Sequence, residues 1–401
     1  MRILFLAPQP FFVERGTPIA VRYAVEALCR AGHEVDLLVL HEGADLHMPG
    51  LTIHRAGRPP FVAAVPIGMS ASKLACDAFL VAAATRLLMQ RRYDVVHAVE
   101  EAVFPALLLK LPGRFKLVYD MDSLLGEQIV EKWPRLSFLR PLLRAVEGWP
   151  MRGADLVLPV CSAIAERVAR EAPGQTIHVL PDAAPAKTTG DPAEPVMNLR
   201  ALVGGEGPIA LYVGNLEHYQ GVDLLLEAMA DLPADNDLSL VIVGGTRDHL
   251  AEARATIGRL RIEDRVHLAG PAPLAHLPHL LAQADILCSP RIAGVNTPMK
   301  LYAYMQAERA IIATAILSHT QVLSSAHACL VAPERGAIAA GLTQLADDAS
   351  LRARLGEAAG KAAEDYSPAA FEARLRTAYA ALGEAEPRRE RPPLAAMRRG
   401  Q

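Results

Sequence analysis

Short apolar runs of strand length alternate with helical stretches through this chain, and the alternation stops once and then begins again. The first round opens with residues 3–7, a loop holding Gly16 and Pro18, and a helix to about Ala31. Gly32-His-Glu-Val35 ends that helix and leads into an apolar run over 35–40. Helix stop, short turn and buried strand in that order make a βαβ unit. Further strands are predicted over 51–55, 95–98, 116–119, 156–160 and 176–180. Around 181–207 the pattern gives way to Pro, Gly, Ala, Thr and acidic residues, with Pro185, Pro192 and Pro195, a linker composition. The second round predicts strands over 209–213, 239–243, 265–269, 286–289, 310–313 and 328–331. Such strands, joined by helices, require a parallel sheet covered on both faces. The expected fold is α/β, with two doubly wound, Rossmann-like parallel-sheet domains facing a cleft. The expected boundaries are 1–182, a linker 183–207, a second domain 208–366, a last helix 367–384 and a disordered tail 385–401.

A length of 401 residues exceeds what one hydrophobic core supports, in keeping with two domains. The net charge of −3 argues against a general nucleic-acid binder, which needs a basic face. Cys29, Cys76, Cys161, Cys288 and Cys329 form no CxxC pair and read as small buried hydrophobes in a reducing compartment. The apolar start is too short for a signal peptide, and no run is long enough to span a bilayer, so a cytoplasmic protein is expected.

The stretch from Ser289 to Thr314 carries the sharpest functional signal. It reads as a strand end, a Gly/Asn/Thr turn, a helix opened by Pro298 and another buried strand. A helix start just past a strand end aims backbone N–H groups at the crevice where α/β sheets hold phosphates. Lys300 and Arg291 are either cations for that phosphate or solvated surface residues. Gly294 permits either a close ligand approach or simply the turn. Asn296 and Thr297 suit a helix cap and a ligand contact equally.

In the first round, Ala7-Pro-Gln-Pro10 follows the first strand where a dinucleotide enzyme would carry GxGxxG, which disfavours an oxidoreductase. The loop 11–18 holds Arg15 and Gly16 and is a cleft loop or an ordinary strand-to-helix connection. His97 ends a strand and is a core histidine or a site residue. Glu100 and Glu101 suit a solvated loop or helix start better than catalysis. Asp120 and Asp122, at a strand's carboxyl end, face one side of their loop. They fit ligand hydroxyls, turn capping, or a hard metal ion. Residues 131–149 interleave aromatics with arginines, a pattern for a helix packed on its own domain or for peripheral membrane contact.

Across nearly its whole length the chain resembles the GT-B-fold glycosyltransferases of family 4. The matching pieces are Gly16, Gly32-His-Glu-Val35, Asp94-Val-Val-His97, Ala154-Asp-Leu-Val157 with Cys161, Tyr212-Val-Gly-Asn215, Gly221-Val-Asp-Leu-Leu-Leu-Glu-Ala228, Val241-Ile-Val-Gly-Gly245, Ala284-Asp-Ile-Leu-Cys-Ser-Pro290 and the 289–314 stretch. Each is weak alone; their shared order and spacing carry the resemblance. It implies retaining transfer of a sugar from a nucleoside-diphosphate sugar, UDP- or GDP-linked, to a glycan, lipid-linked or small-molecule acceptor. It also implies a last helix that crosses back to the first domain. The implied donor set is Arg15, Gly16, Gly214, Asn215, Gly245, Leu268, Arg291, Gly294, Val295, Asn296, Thr297 and Lys300, with Asp120, Asp122 and His97 on the catalytic side. No cofactor or metal is expected, because Asp-x-Asp metal sites belong to a different glycosyltransferase fold. The departures are specific. Asn215 and Gln220 stand where the family has Arg and Lys, and Val295 and Ala303 where it has two glutamates. A non-catalytic nucleotide-sugar binder of the same fold is the rival reading.

Overall fold

The computed structural model describes residues 1–11, 16–62, 64–65, 70–184 and 195–383. Their strands sort into two six-stranded sheets. The first contains β1 (Arg2–Leu6), β2 (Glu34–Val39), β3 (Leu51–Arg55), β4 (Val95–Val99), β5 (Lys116–Met121) and β6 (Leu156–Pro159), in the order β3-β2-β1-β4-β5-β6. The second contains β7 (Ile209–Val213), β8 (Ser239–Val243), β9 (Val266–Gly270), β10 (Ile286–Ser289), β11 (Ala310–Thr314) and β12 (Cys329–Val331), in the order β12-β11-β10-β7-β8-β9. Read from its other edge, the second sheet repeats the topology of the first. All the strand pairings are parallel. In each sheet the winding reverses between two central strands, β1 and β4 or β7 and β10. That reversal opens a crevice at their carboxyl ends.

The strands form where predicted because their apolar residues serve both faces. On β1, Leu4 and Leu6 enter one core while Ile3 and Phe5 enter the other. One segment corrects the expectation. Residues 176–180 make only a single bridge, Val157 to Ile177, beside the edge strand β6. His178 N and Leu180 N donate to Val157 O and Pro159 O at 3.1 and 3.0 Å, and Pro181, which has no N–H, ends the run.

The stretch expected as linker contains a short helix, Leu199–Val203, whose Asn198 side chain accepts from Ala201 N at 3.0 Å. The last helix, Pro368–Gly383, lies on the first sheet, although it follows the second in sequence. Phe371, Leu375, Ala378, Tyr379 and Leu382 share a core with Ile3, Phe5 and Leu37, and Glu372 pairs with Arg30 at 3.0 Å. Each large apolar side chain buried there contributes roughly 1.5–3 kcal/mol. The tail expected over 385–401 lies outside the described residues.

Candidate active site between the domains

The second domain's side of the cleft is built where β7, β8 and β10 end. β7 runs into Gly214, and β8 into Gly244 and Gly245. A Cβ on Gly244 would stand 2.0 Å from Gly214 O, so these two loops pack backbone on backbone. Lys300, the first residue of the helix Lys300–Gln306, reaches this floor. Its Nζ lies 4.0 Å from the centroid of the Tyr212 ring and donates to Gln220 Oε1 at 3.2 Å. No carboxylate pairs with it among the described residues. Burial, and then the neighbouring Arg291, push its pKa down to about 7.

Arg291 is turned inward. Its Nε donates to Ala293 O at 2.6 Å, and its terminal nitrogens donate to Asn296 O at 3.1 Å and Asn296 Oδ1 at 3.2 Å. Its guanidinium sits over the Tyr219 ring at 5.2 Å. Gly294 (φ +113°) closes this loop, and a Cβ there would meet the guanidinium at 2.1 Å. Below it, Thr314 Oγ1 donates to Arg291 O, and His319 bridges Ser289 Oγ (3.0 Å) and Thr314 O (2.8 Å). Burial lowers the His319 pKa to about 4. A neutral ring then donates from Nδ1 to Thr314 O and accepts at Nε2 from Ser289.

These contacts settle several open readings. The regular helix is Lys300–Gln306, and its first turn opens at Pro298, whose carbonyl accepts from Leu301 N at 3.0 Å. No side chain caps it: Asn296 Oδ1 is taken by Arg291, and Thr297 Oγ1 is buried without a partner. Val295 packs against the first domain's core. Leu268, on β9, packs against the second domain's core, and Asn215 is exposed, its Oδ1 accepting from Glu217 N at 3.4 Å. Ala303 is buried in that domain's other core, so nothing there supplies a carboxylate to the cleft. Arg15 lies outside the described residues; Gly16 opens the helix Gly16–Arg30.

The facing wall is acidic. Glu100, just past β4, has a left-handed backbone (φ +50°) and accepts from Ser123 Oγ at 2.9 and 3.0 Å. Asp120 lies at the end of β5 and Asp122 just past it, and Asp182 follows the segment alongside β6. Burial, then Glu101, raise the Glu100 pKa to about 8. Burial, then Asp120, raise Asp182 to about 7 and Asp122 well above the usual carboxylate range. This wall therefore holds protons near neutral pH. Among the described residues no three His, Cys, Asp or Glu side chains are placed to hold a metal ion.

His97 does not reach the cleft, which corrects its expected catalytic role. It is fully buried, stacked on Phe5 at 4.1 Å, with Nε2 3.1 Å from Asp120 Oδ2 and Nδ1 2.8 Å from Tyr379 OH. It positions Asp120 and ties it to the last helix. Glu101 pairs with Lys73 at 2.5 Å.

The two walls touch directly. Gln321 Oε1 accepts from Ser162 Oγ (3.1 Å) and Ala163 N (2.8 Å) of the first domain, while its Nε2 donates to Val295 O at 2.8 Å. Beside this contact lies a cavity of about 300 Å³ lined by residues of both domains, including Ser123, Glu127, Tyr219, Arg291 and Gly294. Asp182, Tyr379, His319 and Gln321 were not singled out from the sequence. Asp182 alone had a usable signal, since Pro181 follows an apolar run whose end falls at the sheet's carboxyl edge.

Two six-stranded doubly wound domains facing each other across a polar site are the GT-B architecture. Two family models match in the same order: a glycosyl transferase 4-like domain over residues 15–183 and glycosyl transferases group 1 over residues 201–362. The chain belongs to the family 4-like glycosyltransferases. It is 24% identical to the phosphatidyl-myo-inositol mannosyltransferase of Mycolicibacterium smegmatis over 94% of this chain and 93% of that protein. It is 30% identical to the 2-deoxystreptamine glucosyltransferase of Streptomyces kanamyceticus over 38% of this chain, a match that spans only 41% of that relative. The solved structure of Anabaena HepE in complex with UDP-glucose superposes with a TM-score of 0.73 at 17% identity, covering 95% of this chain and 100% of that one. Among the described residues no helix is long and apolar enough to cross a membrane.

Proposed function

We propose that the protein transfers a sugar from a nucleoside-diphosphate sugar, UDP- or GDP-linked, to a hydroxyl of a glycan, lipid-linked or small-molecule acceptor, with retention at the anomeric carbon. The observation that carries the donor assignment is Lys300. It is a hemmed-in cation at the sheet's switch point, without a carboxylate partner and beside glycine loops that leave backbone open to a ligand. A diphosphate supplies the missing anion. HepE, solved with UDP-glucose, and the family membership support the same donor class.

In the reaction, the bond from the anomeric carbon to the diphosphate oxygen breaks with its electron pair on the leaving group. Lys300 and the loop N–H groups stabilise that charge as it develops. The acceptor oxygen bonds the anomeric carbon on the same face. Its proton passes to the departing diphosphate oxygen on that same face. Contact between the domains keeps water from competing. The rival reading, a binder without catalysis, draws on the uncharged Asn215, Gln220, Val295 and Ala303, where the resemblance implies charged residues.

Calorimetric titration with UDP- and GDP-sugars at pH 6.5 and 8.5 tests the donor site. Binding is expected with one of them, weakening by up to about tenfold per pH unit above 7 as Lys300 loses its proton. Lys300→Met should weaken binding about 10–100-fold and flatten the pH dependence. Absence of binding to both nucleotide classes refutes the proposal. Binding without release of nucleoside diphosphate on any glycan, lipid or aminocyclitol acceptor favours the rival.

A further inference from the structure

The first domain carries an apolar stripe that faces outward. It runs along the turn Pro134–Leu139 and the helix Arg140–Gly153. Phe138, Leu142, Val146 and Trp149 follow one another at helical spacing and are 74, 59, 47 and 44% exposed. Glu147, Gly148, Pro150 and Met151, on the same helix, are buried. The helix therefore packs on its own domain and still presents a second apolar face. Trp133 is exposed at the near end, and Leu108 and Leu111 are exposed on the segment that follows Phe104, the ring neighbour of Trp149. Trp133 and Trp149 are the chain's two tryptophans.

Cations border the stripe. Arg135, Arg140 and Arg144 are exposed. The last two approach Glu127 only at 3.9 and 3.8 Å, which leaves their guanidinium groups open to solvent. Single exposed hydrophobes are ordinary on a protein surface. A continuous stripe holding both tryptophans and bordered by arginines, in a chain of net charge −3, is a local concentration of two signals.

We propose that this face docks on a lipid bilayer carrying anionic headgroups. The apolar side chains enter the boundary between headgroups and acyl chains, the indole rings sit at that boundary, and the arginines meet lipid phosphates. A second copy of the chain fits less well, because a two-fold contact would bring arginines towards arginines. The helix Leu125–Lys132 leads from Glu127 in the cavity wall towards Trp133, about 9 Å away at helical rise, so the cleft opens beside the lipid surface. The docking surface stands on exposure and charge alone, and its test reads lipid binding without any donor or acceptor.

Intrinsic fluorescence reports on this face alone, since both tryptophans lie in it. With vesicles of phosphatidylcholine and phosphatidylglycerol the emission of the full chain should shift to the blue and the protein should co-sediment. Both effects should weaken with added salt and be slight on phosphatidylcholine alone. Phe138→Glu/Leu142→Glu and Arg140→Glu/Arg144→Glu should each reduce partitioning about tenfold or more, with an unchanged thermal midpoint because these side chains are exposed. Unchanged emission on the anionic vesicles overturns the proposal. So does equal partitioning of the variants, or a dimer in solution that Phe138→Glu/Leu142→Glu dissociates.

Discussion

Lys300 and Glu100 face the cleft from opposite domains, and both have surroundings that press them toward neutrality. Lys300 is pushed down to about 7, and Glu100 up to about 8, by burial first in each case. The sign for Glu100 is that of a raised carboxyl. Its contribution to stability is complete below its unfolded pKa, near 4.5, and is lost as pH rises through about 8. Glu100→Gln keeps an acceptor for Ser123 and cannot ionise. It should therefore stabilise the protein at pH 9, by on the order of 1–3 kcal/mol, and change little at pH 4.5. Thermal melts at the two pH values check this; an equal effect at both would show that ionisation of Glu100 is not the cause. Lys300 was legible in the sequence because it follows a Gly/Asn/Thr turn. Its partner Gln220 and the Tyr379 contact of His97 were not, because they join residues 80 and 282 positions apart.

At the scale of elements, the strands were legible where an apolar run had to serve two cores, as β1, β4, β7 and β10 do. Pro298 was legible as a helix start, and its carbonyl accepts from Leu301 N in the turn that leads into Lys300–Gln306. The signal failed at 176–180, where one bridge to an edge strand was all the sheet offered. The loops themselves are the rigid part of the donor side. Gly244 has φ +119° and no room for a Cβ against Gly214 O. Gly244→Ala should cost about 2–4 kcal/mol in urea unfolding and loosen the donor floor. Gly205→Ala, with open space around it, should stay within about 0.5 kcal/mol of wild type. A small effect of Gly244→Ala would mean that the two loops can separate.

At the scale of the whole molecule, the repeated topology was legible as one rhythm played twice, while the return of the last helix came only from family resemblance. Sequence order alone left the position of that helix open. Its apolar face completes the first domain's core, and Tyr379 holds His97 there. Truncation after Ser367 should therefore damage the first domain rather than the second. The expected result is a lowered first unfolding transition and exposed apolar surface that binds a hydrophobic dye. Retention of the full-length melting profile would show that the helix is dispensable.

The position of that helix also sets a schedule. As the chain leaves the ribosome, the first sheet is finished when residue 184 has been made, yet part of one face, beside the helix Gly16–Arg30 that already packs there, stays bare until residues 368–383 follow. At about 5–20 residues per second that interval lasts roughly 10–40 s. During it the newborn first domain carries an uncovered oily flank beside an unfinished neighbour. Any chaperone that attends this protein has its work defined by that gap.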